Sequence, residues 1–230
     1  MRGHRRSADG RGSGHDGRKR LQGGFVRDKY RRKTKGVMEM DNLAYKEPPR
    51  VERIEGKTYL MSPRPRVNHN QVSFRIAYIF ARYLEGKTCV PFADGTDVHL
   101  DAENTYIPDA MIVCDPSIIH EDGIYGAPDL VVEVLSPSTM QNDRGPKMRH
   151  YAAAGVKEYW IVSPLGRSVE VYYNEDGIFQ LDAAYTDYSD WDLERMDDEE
   201  RKAIRQEIPV SLYDDFFVNV KEVFKDIVAR

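Results

Sequence analysis

The chain has 230 residues with 34 basic and 38 acidic side chains, a formal charge of −4, and 40% of it is hydrophobic. That is enough apolar material for a core and excludes wholesale disorder. No stretch approaches the ~20 apolar residues of a membrane span, and no basic-then-apolar leader is seen at the start.

Charge is unevenly spread along the chain. Residues 1–36 hold 13 Lys or Arg, 3 Asp or Glu and 8 of the 17 glycines, hence +10, which leaves −14 on residues 37–230. So polar a segment cannot bury enough surface to offset its ordering, so a disordered basic extension is expected over 1–36 and a single domain over 37–230. The extension reads either as an arm for nucleic-acid phosphates or as a tail without a partner, ending near Met38 and Met40. Only Cys89 and Cys114 are present. Two thiols make neither a disulfide framework nor a cysteine zinc site, which points to a reducing, cytoplasmic setting.

Strands are predicted at Val51–Ile54 and Thr58–Met61 around a turn at Glu55-Gly56-Lys57. Val72, Ile76, Ile79, Phe80, Tyr83 and Leu84 recur at helical spacing, which predicts a helix over 67–85 stopped by Gly86. Strand-like runs follow at Thr88–Phe92, Thr96–Leu100, Ile107–Cys114 and Leu130–Leu135. A helix whose last turn is 151–154 ends at Gly155. Further strands are expected at Glu158–Val162, Ser168–Tyr173 and Ile178–Asp182. Residues 185–207 read as an acidic, solvated connection with one short helix, and Phe216–Val228 as a terminal helix. Trp160, Tyr159, Tyr172 and Tyr151 read as packing aromatics. The order fits an α/β fold, a central mixed sheet flanked by helices.

Two strands interrupt their own apolar pattern with a carboxylate, in Ile107-Pro108-Asp109-Ala110-Met111 and in Asp129-Leu130-Val131-Val132-Glu133-Val134. A continuous apolar run belongs to a strand covered on both faces. A Glu inside it costs several kcal/mol unless it is paired, protonated or metal-bound. Alternation places Asp129, Val131 and Glu133 on one face. On neighbouring strands Asp109 and Glu133 converge, and a divalent cation relieves their repulsion while gaining hard oxygen ligands. Lys147 opens the next helix, one turn from Tyr151. It is placed to lean toward a phosphate oxygen or an attacking water.

Pro108-Asp109 followed by Glu133 resembles the acidic elements of the PD-(D/E)XK nuclease superfamily. APDLVVEVLSPST with Asp143, Lys147, Tyr151 and GVKEYWIVSP, together with NTYIPDAMIVCDP and IEGKTYLMSPRPRVNHNQV, is similar to the Uma-two family of restriction endonucleases over about residues 45–222. The resemblance implies a restriction-endonuclease-like fold, a magnesium-dependent DNA endonuclease with Mn²⁺ as a substitute ion, and a homodimer. It implies Asp109 and Glu133 as Mg²⁺ ligands. Because Leu135 holds the usual lysine position, it moves the lysine role to Lys147. A rival function on the same scaffold is an inactive nucleic-acid-binding or assembly module.

Each site residue also has a plainer reading. Asp109 could end a turn, Glu133 could belong to a structural ion pair, and Lys147 could be a surface lysine. His69 near the start of the first long helix reads as structural or as a contact to phosphate or to the metal's outer sphere. Asp129 reads as structure or as second-sphere support. Asp143 is read as a helix N-cap in preference to an active-site neighbour.

Overall fold

The computed structural model describes residues 49–61 and 65–228. The predicted basic extension lies outside the described residues. The chain begins with a hairpin of β1 (Val51–Ile54) and β2 (Lys57–Leu60), and then α1 (Val67–Leu84). The strands β3 (Val90–Ala93), β4 (Val98–His99), β5 (Thr105–Tyr106) and β6 (Ala110–Val113) follow. Next come β7 (Ile119–His120), β8 (Gly123–Tyr125), β9 (Leu130–Val134) and two helices, α2 (Met140–Asp143) and α3 (Pro146–Ala154). β10 (Glu158–Ser163), β11 (Ser168–Glu175) and β12 (Ile178–Thr186) form a meander. The chain ends in α4 (Asp190–Arg195), α5 (Asp198–Ala203), β13 (Glu207–Pro209), β14 (Phe217–Asn219) and α6 (Val220–Val223).

The strands form two mixed six-stranded sheets, in the orders β12-β11-β10-β9-β6-β3 and β2-β1-β5-β4-β8-β7, and a separate β13–β14 pair. In the first sheet β9 runs parallel to β10 and antiparallel to β6. Its central strands β6, β9 and β10 are buried on both faces. Leu130, Val132 and Val134 meet the Val72, Ile76, Ile79 and Phe80 face of α1. Val131, with Met111 and Val113 of β6, meets Tyr151 and Ala152 of α3 and the inner residues Ile54, Val98 and Ile124 of the second sheet. Trp160 of β10 packs edge-on against Phe80, which packs edge-on against Phe216. Emptying that Trp site would cost about 3–5 kcal/mol.

Local chemistry accounts for the elements that were predicted. Glu55 and Gly56 both sit at positive φ, 51° and 75°, the two-residue turn whose twist matches a hairpin. Pro146 opens α3, where its missing N–H costs nothing, and Gly155 closes it in the left-handed conformation.

Three expectations are corrected. Phe216–Val228 is not one helix: Phe216, Val218 and Val220 alternate inward, so Phe217–Asn219 pairs with Glu207–Pro209 and only a single turn follows, capped by the Asn219 side chain. Residues 185–207 hold two short helices, each started by a capping box, Ser189 with Asp192 and Asp197 with Glu200. Cys89 and Cys114 are joined in a disulfide. The β3–β6 ladder sets Val90 opposite Val113, and one step further along it brings the two cysteines face to face.

Candidate active site

The β6–β9 ladder pairs Ala110 with Val132 and Met111 with Val131, so one more step sets Asp109 opposite Glu133. The backbone closes that step: the Asp109 N–H donates to the Val132 carbonyl at 3.1 Å. The Val134 N–H donates to Asp109 Oδ2 at 2.7 Å. From α1, Ser73 Oγ donates to the Asp109 carbonyl at 2.8 Å, and His69 Nε2 stands 3.5 Å from Asp109 Oδ2. Glu133 thus lies on an interior strand, in contact with α3, and Asp109 just before β6, its carboxylate between the Val134 N–H and His69 of α1.

Lys147, on the first turn of α3, is 2% exposed. Its Nζ lies 2.7 Å from Glu133 Oε1, 2.8 Å from Glu52 Oε1 and 3.4 Å from Asp143 Oδ1. Tyr151, one turn on, donates its hydroxyl to Glu133 Oε1 at 3.2 Å. The Tyr106 ring lies 5.6 Å from the ammonium. Lys147 is therefore no surface lysine, and the close packing extends to the backbone. A Cβ at Gly145, just before α3, would stand 2.7 Å from the Gln141 carbonyl.

Glu52 is the residue that sequence reasoning missed. It also accepts the Ile107 N–H at 3.1 Å, which ties the second sheet to the approach of β6. The signal was present but slight: in Val-Glu-Arg-Ile, alternation puts Glu52 on the same inward face as Ile54. Asp143 is corrected. It is not an N-cap, because Gly145 occupies that position without a side-chain bond, and Asp143 ends α2 with its buried carboxylate toward Lys147. Neither oxygen of Asp143 has a hydrogen-bond partner among the described residues. Asp129 sits at the far end of β9, where it accepts the Cys114 N–H at 2.7 Å and the Lys157 ammonium at 2.8 Å. That is the structural one of its two readings. Tyr159 donates to the Asp143 carbonyl, and Trp160 is core, as expected of packing aromatics.

Burial pushes the Asp109 carboxyl up to about 8, against the pull of the Val134 N–H and Lys147. Burial likewise drives Glu133 well above the ordinary carboxylate range and raises Asp143, with Lys147 opposing both. For Lys147, burial works against the charge, but Glu133, Glu52 and Asp143 outweigh it and hold the ammonium well above its usual range. Burial also lowers the His69 imidazole, so the ring is neutral near pH 7.

Asp109, Glu133, Glu52, His69 and Lys147 line one cavity of about 1070 Å³. It is walled by Arg50 and Arg66, by the Ser136-Pro137-Ser138-Thr139 loop that follows β9, and by the 163–167 turn. Among the described residues, no group of three or more His, Cys, Asp or Glu side chains is arranged to enclose a metal ion.

The family model described as "Putative restriction endonuclease", Uma2, matches residues 38–196. The chain belongs to the Uma2 family. An uncharacterized protein of Synechocystis sp., slr1290, is 34% identical over 129 residues, 55% of this chain and 67% of its own length. The crystal structure of a putative nuclease belonging to DUF820 from Anabaena variabilis superposes with a TM-score of 0.58 at 19% identity, covering 82% of this chain and 96% of the other. That likeness shows a shared fold. All four strings that carry the resemblance, including those around Glu133 and Trp160, fall within the stretch matched by the Uma2 model.

Proposed function

We propose that this Uma2 protein is a metal-dependent endonuclease of the PD-(D/E)XK type that hydrolyses DNA phosphodiester bonds. The observation that carries the reading is the register of Asp109 opposite Glu133, with the Lys147 ammonium 2.7 Å from Glu133, at the buried end of a large cavity.

The donor set suits Mg²⁺. Three carboxyl groups, Glu52, Glu133 and Asp143, surround a single lysine, with Asp109 opposite Glu133, a set of hard oxygen donors that a divalent cation would take up. Mg²⁺ takes one or two protein carboxylates and fills its remaining positions with water and substrate phosphate, so an enclosing cluster of three is not required. Asp109 and Glu133 would hold the ion. When bound, it supplies Lewis acidity, lowering the pKa of water and offsetting charge on the phosphoryl oxygens.

The remaining work falls to the chain itself. Lys147 and the Tyr151 hydroxyl fix Glu133 Oε1, and Lys147 opposes the upward push of burial on that carboxyl. The Val134 N–H fixes Asp109 Oδ2 in the same way. Arg66 and the Ser138 hydroxyl, both lining the cavity, would position the phosphate backbone by hydrogen bonds. Lys147, with one of its three N–H donors not committed to Glu133 or Glu52, would stabilise charge on the phosphoryl group.

The test uses purified full-length protein on plasmid and oligonucleotide DNA with Mg²⁺, Mn²⁺ or chelator, and calorimetric titration of the metal. Asp109→Asn and Glu133→Gln are each expected to abolish cleavage and to weaken metal binding. Cleavage that persists in Glu133→Gln would refute the mechanism. DNA binding with neither cleavage nor bound metal would favour the non-catalytic module.

A further inference from the structure

The same cavity carries a statement about the form of its substrate. We infer that the site acts on unpaired DNA, one strand entering to the cavity floor with its bases against the mouth, and that an intact double helix is not its substrate. This rests on the nuclease reading above.

Size is the first argument. A volume of about 1070 Å³ lies at the upper edge of the roughly 300–1,000 Å³ typical of pockets for small molecules. It is the volume of a sphere about 13 Å across, barely wider than the ~12 Å major groove of a duplex, which is itself only one feature of the helix surface. The chemistry lies at the bottom. The side chains of Glu52, Glu133 and Lys147 are 5% exposed or less, so a scissile phosphate must descend to them. A phosphate on a single strand can do so, whereas one on a duplex is held out by the partner strand.

The second argument is the change in character from floor to mouth. The buried lining is charged, while the exposed lining adds large apolar side chains, Tyr59, Leu60, Met140, Leu165 and Val228, beside the polar Arg50, Arg66 and Asp94. Leu60 and Leu165 are 74% and 73% exposed. A duplex hides its base faces and presents phosphate and sugar, for which such a rim has no use. Unpaired bases have apolar faces to bury, and aromatic side chains hold them by stacking.

Charge is the third. Duplex binders that rely on the backbone neutralise about 6–10 phosphates. Three arginines border this cavity, and two of them are already paired, Arg50 with Asp94 and Arg167 with Asp187. Among the described residues only Arg66 of the three has no acidic partner. One free arginine suits the one or two phosphates of a strand threaded to the floor.

The experiment measures binding and cleavage separately. Binding is read by fluorescence anisotropy with the full-length Glu133→Gln protein, at near-physiological salt, on one sequence as single-stranded DNA, duplex DNA and single-stranded RNA. Cleavage is read with wild type on the same three molecules with Mg²⁺ and with Mn²⁺. Single-stranded DNA is expected to bind about tenfold or more tighter than duplex, the worth of one or two stacked bases. It is also expected to be cut faster. Tyr59→Ala and Leu165→Asp, both on exposed positions where folding is not at stake, should weaken single-strand binding by about tenfold and leave duplex binding unchanged. Equal or tighter duplex binding with equal cleavage would overturn the inference, and so would a preference for RNA. Selective single-strand binding with no cleavage of any substrate would sink the nuclease reading while leaving the strand preference standing.

Discussion

Replacing Lys147 with methionine tests the charge arrangement most directly, because the two side chains have similar length and the packing is retained. The ammonium lies 2.7 Å from Glu133, 2.8 Å from Glu52 and 3.4 Å from Asp143, and all four groups are buried. Removing one partner of a buried ion pair costs about 3–5 kcal/mol, because the other charge is left uncompensated. For a chain of this size each kcal/mol lowers the melting temperature by about 2–4 °C, so Lys147→Met should melt roughly 6–20 °C below wild type at pH 8.

The pH dependence identifies the cause. Without the lysine, Glu133 and Asp143, already raised by burial, rise further. The folded protein then holds protons that the unfolded chain has released, so stability falls as pH climbs from the ordinary carboxylate range toward the raised values. The deficit of Lys147→Met should be largest at pH 8 and shrink toward pH 5, where protonation costs less. Adding Glu52→Gln should recover about 1 kcal/mol or more in the methionine background, while the same change in wild type should cost stability, because it takes a buried partner from the ammonium. Scanning calorimetry over pH 5–8 measures all four proteins. A deficit under about 1 kcal/mol at both pH values, or one that grows toward pH 5, would refute the reasoning.

Two further outcomes follow from other buried carboxylates. In chelator, the Asp109 carboxyl sits at about 8 because of burial, far above its unfolded value. Its contribution to stability should therefore be fully present below the ordinary aspartate range and be lost as pH rises through 8; Asp109→Asn should flatten that part of a plot of melting temperature against pH, and an unchanged slope would reassign the effect. Glu158 accepts the Trp160 indole N–H at 2.6 Å, the Ser211 N–H at 2.8 Å and the Ser211 hydroxyl at 2.6 Å, pinning the segment between β13 and β14 to the sheet. Glu158→Ala should cost about 3 kcal/mol by stranding these donors. Hydrogen exchange should show residues 208–220 losing protection before β10, and equal protection in the two proteins would remove Glu158 as the tie.

What could be read from the sequence divides by the range of the signal. α1 was legible because five apolar side chains, from Val72 to Leu84, recur on one face over about three turns and bury completely or nearly so. The proximity of Asp109 and Glu133 was legible because a carboxylate inside an apolar strand demands a partner wherever the strand ends up. Glu52 was not, since it meets Lys147 across 95 residues and sits in a four-residue strand with alternate residues exposed. The strands β4, β5 and β7 have two residues each, too few for any period to show. The disulfide depends on the register of β3 against β6, which pairs Val90 with Val113 and which composition cannot state. The terminal segment failed for a different reason: Phe-Phe-Val-Asn-Val suits a helix face as well as an alternating strand, and only the partner β13 decides between them.

The imbalance at Lys147 separates structure from function better than burial alone. A buried ion pair kept for specificity or stability is near neutrality, because each uncompensated charge costs several kcal/mol and apolar replacements serve a core as well. Here a single lysine faces Glu52, Glu133 and Asp143, with Asp109 beside them, and both oxygens of Asp143 lack hydrogen-bond partners among the described residues. Replacing Glu52 by Gln or Asp143 by Asn would relieve the excess while keeping a side chain of similar size, and Gln at 52 could still accept the Ile107 N–H. Their presence together is hard to explain by folding and simple to explain by a positively charged guest. A divalent cation would favour the ionised form of these raised carboxyls, and the cavity leads from solvent to Asp109 and Glu133. On that argument Glu52 and Asp143 would tune Lys147 and the depth of the negative field, while Asp109 and Glu133 would meet the ion. The prediction that separates the two pairs is metal affinity: Glu52→Gln should weaken it by a few-fold through the field alone, far less than the loss from Glu133→Gln.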